Sequence, residues 1–366
     1  MSGNFDIKKI VKPTLLIDEQ KCRRNILFMH NKSKSSDVSF RPHFKTHQSA
    51  EIGNWFREAG VGMITVSSVT MCRYFMDNGW DDITIAFPAN PRESDEINKI
   101  AGKINLNVLV ADYEQLQSFA DRLTNSIGVF IKIDTGYRRS GIDWNHYADI
   151  VRIYEYVKEL PALRMKGFLS HSGHTYSVKG RERVLEIFND TRQKLLHTRE
   201  TTPTDGMIIS IGDTPSCSIA TDFAGVDEIR PGNFVFYDLM QTVIGSCTEN
   251  EIAVALAAPV VSINRHRSEL IIYGGAVHLS KECIHDGDKT IYGKVCLLSD
   301  EGWDVESGVG FITSLSQEHG VVKVSDLSNL KVKPGDIIAV LPVHSCLTAN
   351  LMREYVDREG KFISRL

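Results

Sequence analysis

Residues 127–134 read IGVFIKID and run directly into Thr135-Gly136-Tyr137-Arg138-Arg139-Ser140-Gly141. A stretch that is apolar on both alternating faces has no face to turn to water. It reads as a strand buried on both sides, as in a parallel sheet, whose polar end opens into a loop. Working outward, similar runs recur at 40–45, 62–67, 83–87, 106–111, 166–171, 207–212 and 227–230. Between them lie stretches with helical spacing. After Asp112, a residue suited to a helix N-cap, come Leu116, Phe119, Ala120 and Leu123 at i, i+3, i+4, i+7. Tyr147, Ile150, Val151 and Tyr154 repeat that stripe, as do Val184, Ile187, Phe188 and Leu195. These stripes are core faces. Eight strand–helix units over about 200 residues predict an α/β fold, a (β/α)8 TIM-like barrel. A doubly wound sheet is the rival, and it carries a glycine-rich turn after its first strand. Here that turn is KTHQSA, 45–50, without glycine, which favours the barrel.

Beyond Glu251 the rhythm changes. EIAVALAAPVVSI, ELIIYGG, GVGFITSLS, HGVVKVSDL and DIIAVLPV are strand-like, and turn residues such as Lys333-Pro334-Gly335-Asp336 separate them. No long helical stripe intervenes, so a mostly antiparallel β domain is predicted. The reading is a barrel over 1–245 and a β domain over 246–366. The run 14–17 precedes the eight units, so residues 1–17 are the part of the first domain that could instead join the β domain.

Composition excludes several function classes. At about 150 residues per domain, 366 residues agree with two domains. Hydrophobic residues at 42% and charged residues at 24% are globular values, not those of a disordered or fibrous chain. The net charge is -4, and the 42 Lys and Arg are spread along the chain. No basic excess is present to grip a phosphate backbone, so nucleic acid is not an expected partner. The N-terminus, MSGNFDIKKIVKP, has no apolar stretch of a secretory signal. The longest apolar run, from Ile252 to Val261, is interrupted by Pro259 and falls short of the ~20 residues a spanning helix needs. No membrane partner is expected. The seven cysteines are scattered and show no CxxC spacing, which fits reduced thiols and a cytoplasmic protein.

Barrel active sites lie at the carboxyl ends of the strands. Those ends carry RPHFKTH at 41–47, DTGYRRSG at 134–141, SHSGHTY at 170–176, SIGDTPS at 210–216 and EIRPGN at 228–233. Each mixes hydroxyls, glycine and cations, a combination that suits a small anion such as a phosphate. Lys45, at the end of the first barrel strand, is placed to point into the barrel mouth. Partly desolvated and close to other cations, it would become an amine nucleophile able to form a Schiff base. A second constellation is His344-Ser345-Cys346. On a strand, positions i and i+2 share a face, and imidazole beside thiolate suits Zn2+.

RPHFKTHQ resembles the RPHxKTH signature of the D-threonine aldolase and D-serine dehydratase family. These are pyridoxal 5'-phosphate enzymes of fold type III, related in architecture to alanine racemase. DTGYRRSG, HSGHTY, GDTPS, EIRPGNFVFYD, SQEHG and HSC are similar to further family elements and follow in the expected order. The resemblance implies residue roles. Lys45 would carry the cofactor and act as base at Cα. Arg139 would approach the cofactor's phenolic oxygen, with Arg138 as the alternative by one position. His171 and Tyr176 would line the cofactor's face and phosphate side. Thr214, with Gly212 near it, and the backbone N–H groups of Gly232 and Asn233 would receive the phosphate. Arg230 would lie near the pyridine nitrogen. His344 and Cys346 would hold the metal, a Lewis acid toward the substrate's β-hydroxyl and carboxylate.

The resemblance also bears on the reaction. His-x-Asp is the pattern of the family's aldolases and suits harder ions such as Mn2+ or Mg2+. His-x-Cys is that of its zinc-dependent D-serine dehydratases, so Cys346 points to β-elimination from a D-β-hydroxy amino acid, D-serine giving pyruvate and ammonia. Retro-aldol cleavage to glycine and an aldehyde is the alternative. Gln317, where the family commonly has an acid, and YGGAVHLSKE, which departs from an aldolase-like segment, leave the substrate preference open. A non-catalytic carrier of the cofactor is a third reading, opposed by the appended β domain and the metal pair. A racemase would typically need a tyrosine base from the β domain, and none falls between Gly293 and Asn350. Relatives in this family imply a homodimer.

Overall fold

The computed structural model describes residues 9–203, 206–299 and 301–366. The expectation for residues 1–17 therefore lies outside the described residues over 1–8. The chain enters through strand β1 (Thr14–Ile17) and helix α1 (Glu19–Ser35). A strand–helix alternation follows: β2 (Ser39–Phe40), α2 (Ala50–Glu58), β3 (Ile64–Val66), α3 (Val69–Asp77), β4 (Asp82–Pro88), α4 (Ser94–Ala101), β5 (Asn105–Val110), α5 (Tyr113–Ala120) and β6 (Ile127–Asp134). It continues through the short β7 (Ile142–Asp143), α6 (Tyr147–Glu159), β8 (Leu163–Ser170), α7 (Arg181–Thr201), β9 (Ile208–Ile211), α8 (Thr214–Ile219) and β10 (Glu228–Ile229).

Eight of these strands pair in parallel in the order β2-β10-β9-β8-β6-β5-β4-β3. A single parallel bridge, His43 to Thr65, joins the two ends of that path. The ring is the expected (β/α)8 barrel. All eight residues of β6 are buried, as its continuous apolar sequence requires. Asp112 caps α5 through Oδ1, which accepts the Gln115 N–H at 2.7 Å. That helix ends at Ala120, so Leu123 lies beyond it rather than on its stripe.

The first barrel strand is shorter than the run 40–45 suggested. The regular strand covers only Ser39–Phe40. Beyond it the Arg41 and His43 N–H groups still donate to the Ile229 and Pro231 carbonyls, and the His43–Thr65 bridge is the last pairing. Lys45 consequently sits in a turn past the strand end.

Barrel packing is tight where β8 meets β9. Gly167 has φ +157°, and a Cβ there would fall 2.0 Å from the Ile208 carbonyl oxygen. Gly167→Ala must push the strands apart. A loss of about 2–4 kcal/mol in urea-induced unfolding is expected, and an unchanged midpoint would mean the strands close differently.

The second unit is a ten-stranded sheet, among the described residues. After α9 (Leu239–Ile244) come β11 (Val254–Asn264), β12 (Glu269–Tyr273), α10 (Ala276–Leu279), β13 (Ile284–Asp286), β14 (Lys289–Ile291), β15 (Gly293–Ser299) and β16 (Gly302–Asp304). Then follow β17 (Gly310–Leu315), β18 (His319–Val324), β19 (Ile337–Pro342), α11 (Ser345–Met352), β20 (Glu354–Val356) and β21 (Phe362–Ser364). The order is β12-β18-β17-β15-β19-β11-β1-β20-β21, with β16 on β15. Only β1 and β20 pair in parallel. Leu256, Val260, Leu270, Ile272, Val295, Ile312, Val322 and Val340 form its core.

The compact units divide after Ile26 and after Gly232. Two pairings explain these divisions. β1 lies antiparallel on β11, Thr14 opposite Ala257. Residues 233–245 are tied to the β unit because the Ala253 N–H donates to the Phe236 carbonyl and the Met240 N–H to that of Val343. No helix among the described residues is long and apolar enough to cross a membrane.

Candidate functional site

In the barrel unit the polar strand ends bring cations around two imidazoles. His43 Nδ1 accepts the Lys45 N–H at 3.3 Å, and Gln48 Nε2 donates to the Lys45 carbonyl at 3.0 Å. His171 Nδ1 is bonded to the Gly212 carbonyl, so it carries the proton and leaves Nε2 as an acceptor. Burial holds both rings well below the usual histidine range, and the charges of Lys45, Arg139 and Arg230 push each further down. Both are therefore neutral at pH 7. Lys45 shares this cationic neighbourhood, but its side chain is exposed, not desolvated as its position suggested. Between the two candidate arginines, Arg139 acts on both imidazoles, and its guanidinium lies 5.3 Å from the Tyr137 ring. Arg138 instead takes a left-handed turn conformation, φ 57°.

Tyr137 was passed over in the sequence. Its ring lies 5.9 Å from that of His171 and 6.1 Å, nearly parallel, from that of His174. A Cβ at Gly173 would fall 2.3 Å from it, so a glycine there makes room for the ring.

The loop after β9 supplies hydroxyls and N–H groups. Tyr176 Oη accepts the Thr214 N–H at 3.1 Å. Asp213 caps α8, its Oδ1 accepting the Ser216 N–H at 2.7 Å and the Thr175 hydroxyl at 3.1 Å. Asp213 Oδ2 and Ser216 Oγ are buried with no hydrogen-bond partner among the described residues. Gly212 and Gly232 let backbone pass close: a Cβ would fall 3.0 Å from Arg230 Cβ at the first and 2.8 Å from the His43 carbonyl oxygen at the second. An amine, two further cations, neutral imidazoles and a spare buried hydroxyl fit an anionic, aldehyde-bearing cofactor of the pyridoxal phosphate type.

Burial raises Asp213 to about 6. The fold thus holds a proton that the unfolded chain, near pH 4, has released. This contribution to stability is complete below about pH 4 and is lost as pH rises through 6. Asp213→Asn, which keeps the cap, should flatten the dependence of the urea midpoint on pH over that window.

Beneath this cradle runs a buried chain of polar groups that sequence reading did not find. Arg230 Nε donates to Ser210 Oγ at 2.6 Å, and its NH2 group donates to the Ser170 carbonyl at 2.6 Å. Ser210 Oγ in turn donates to Glu228 Oε1 at 2.6 Å. Glu228 Oε2 accepts from Arg41 Nε at 2.7 Å, and Arg41 also pairs with Asp82. Lys132, in β6, is buried too, and burial pushes it down to about 7 while Nζ donates to the Ile133 carbonyl at 2.7 Å.

The second centre belongs to the β unit. His344 and Cys346 do not share a strand face. His344 is the extended residue before α11, and Cys346 lies in that helix's first turn. The turn nonetheless brings imidazole and thiol into hydrogen-bonding contact. Asp238 Oδ2 accepts the Ser345 N–H at 2.9 Å and its hydroxyl at 3.1 Å. Asn233, whose backbone N–H the resemblance offers to the phosphate, has its side chain here: Nδ2 donates to Asp238 at 2.7 Å and lies 3.5 Å from Cys346 Sγ. Burial opposes the charged form of His344, but Cys346, Asp238 and Glu282 outweigh it and raise it to about 9. A nitrogen and a sulfur donor in a field that favours positive charge fit a borderline-soft cation such as Zn2+. Among the described residues no group of three or more His, Cys, Asp and Glu side chains is arranged to hold a metal, so this centre offers two protein donors.

Known proteins match along the whole chain. Residues 17–239 match the family model described as alanine racemase, N-terminal domain, and residues 253–357 that described as a putative serine dehydratase domain. A D-serine dehydratase of Dictyostelium discoideum is 30% identical over 99% of this chain and 97% of its own. A D-threonine aldolase of Arthrobacter sp. is 22% identical over 94% of this chain and 88% of its own. Among solved structures, a cysteine-to-alanine mutant of D-threo-3-hydroxyaspartate dehydratase in the metal-free form superposes with a TM-score of 0.90, at 24% identity and 99% coverage of both chains.

Proposed function

Because the chain belongs to the D-serine dehydratase and D-threonine aldolase family, fold type III pyridoxal-phosphate enzymes with an alanine racemase-type barrel, we propose that it is a lyase that acts on D-β-hydroxy amino acids. D-Serine, yielding pyruvate and ammonia, is the foremost substrate. The observation that carries this reading is the meeting of Lys45, Arg139 and Arg230 around two neutral imidazoles, an amine in an anion-seeking cradle.

Lys45 would hold the cofactor through Nζ, and the same atom, when free, would take the proton from the substrate's Cα. Pyridoxal phosphate, when bound, supplies a ring that withdraws the electron pair left at Cα. His171, with Nδ1 committed to Gly212, presents Nε2 as an acceptor toward the cradle. Arg139 and Arg230 favour negative charge developing there. Tyr176, whose Oη accepts the Thr214 N–H, would with Thr214 receive the phosphate, and Gly232 would add a backbone N–H. Arg230, pulled down to about 10 by burial yet held up by Glu228, keeps its charge at pH 7.

His344 and Cys346 would hold Zn2+, which supplies Lewis acidity toward a hydroxyl oxygen. The metal-free state of a cysteine-replaced relative supports Cys346 as a ligand. The reading extends to a homodimer, and to a reducing cytoplasmic setting supported by seven free cysteines. The D-threonine aldolase relative supports a second reading, retro-aldol cleavage. Incubation with D- and L-β-hydroxy amino acids decides between them. Keto acid plus ammonia from D-serine is expected, and glycine plus aldehyde would overturn elimination in favour of the aldolase.

A further inference from the structure

The pyridoxal-phosphate reading leaves Glu228 without a task. It is 2% exposed, an expensive place for a carboxylate that serves nothing. Its two oxygens face opposite ways. Oε1 takes the Ser210 hydroxyl, which itself accepts from Arg230. Oε2 takes Arg41, which stands four residues before Lys45 in the same segment. The donors all run one way, from Arg230 through Ser210 to the carboxylate and from Arg41 to the same carboxylate. Strand register makes this meeting: Glu228 lies opposite Ser39 on one side and Ser210 on the other.

We propose that Glu228 is a positioning residue that ties the cradle's arginine to the segment bearing its lysine. Through Ser210 it fixes Arg230, and through Arg41 it fixes the base of the 41–47 loop. Both cations then stand in one geometry before the cofactor arrives. This inference rests on the proposed cofactor.

The test is equilibrium titration of the apoprotein with pyridoxal 5'-phosphate, together with circular dichroism of the bound cofactor's visible band. Glu228→Gln keeps the shape and removes the charge. It should weaken binding about 10- to 100-fold and change the sign or intensity of the band in the folded, saturated protein. Ser210→Ala removes the hydroxyl bridge to Arg230, leaves the direct 4.0 Å Arg230–Glu228 ion pair, and should weaken binding about 3- to 10-fold. The double variant should bind as Glu228→Gln does, because Ser210 acts through Glu228. Unchanged affinity and an unchanged band in Glu228→Gln, with only a lowered melting temperature, would overturn the proposal and leave Glu228 a packing residue. Multiplying losses in the double variant would overturn the link through Ser210. Should Glu228→Gln not fold, Ser210→Ala with wild-type affinity and band overturns it alone. A wild-type protein that binds no pyridoxal phosphate would instead refute the cofactor reading itself.

Discussion

Lys45→Ala should lower turnover of D-serine by about 10^4-fold or more, the usual scale when the group that both anchors the cofactor and moves the proton is removed. Lys132 is buried in a barrel strand, with its Nζ committed to the Ile133 carbonyl. Borohydride reduction of the wild-type protein with its cofactor should label a single peptide containing Lys45, and Lys45→Ala should take up no label. Small primary amines added to the variant should restore part of the rate, because the cradle of Arg139, Arg230 and the two imidazoles is left standing. A variant that keeps more than about one per cent of the activity would remove Lys45 from the reaction. A label on another peptide would move the assignment there.

The second large effect is expected at the β unit. Cys346→Ala, or His344→Ala, should lower D-serine elimination by about 10^2- to 10^4-fold, the worth of several kcal/mol of Lewis-acid assistance. Zinc content, read by atomic spectroscopy, should fall with it, and chelation of the wild type should reproduce the loss. The pyridoxal phosphate affinity of either variant should stay within about two-fold of wild type, since neither side chain belongs to the cradle. Cys346→Asp should exchange a soft donor for a hard one and turn metal preference toward Mn2+ or Mg2+. Full zinc content in Cys346→Ala would show that Cys346 is not a ligand. Full activity after complete zinc removal would separate the metal from the reaction.

The barrel was legible because its strands are buried on both faces, and IGVFIKID admits no other environment. The β domain was legible from turn residues and the loss of helical spacing. Boundaries were less so. The 40–45 run reads as one strand, yet the regular strand ends at Phe40, pairing goes on only to the His43–Thr65 bridge, and Lys45 lies in the turn beyond. The join at 232 has no compositional mark, and it is set by where residues 233–245 find hydrogen-bond partners. Around the site, motif order indicated the segments, and the structure adds that Arg139 acts on both imidazoles while Arg138 takes a left-handed turn. His344 and Cys346 looked like a strand pair and proved to be a helix start, which brings them together by a different route. The motif spoke only of the Asn233 backbone N–H, and its side chain, which bonds Asp238 and lies beside Cys346, was not legible. The chain of Arg41, Asp82, Ser210, Glu228 and Arg230 could not be read at all. Each member looks like an ordinary polar residue, and only strand register makes them neighbours.

The pairing of β1 with β11 also has a consequence for biosynthesis. Thr14 emerges from the ribosome about 240 residues before its partner Ala257. The barrel segment, 27–232, ends about 25 residues before Ala257 and can begin to fold while the rest is still being made. β1 must wait, an apolar strand with both edges unsatisfied, until β11 and then β20 arrive. Such long-range closure is slow. Nascent chains stalled before residue 254 should hold a protease-resistant barrel and an N-terminal strand still open to chaperones.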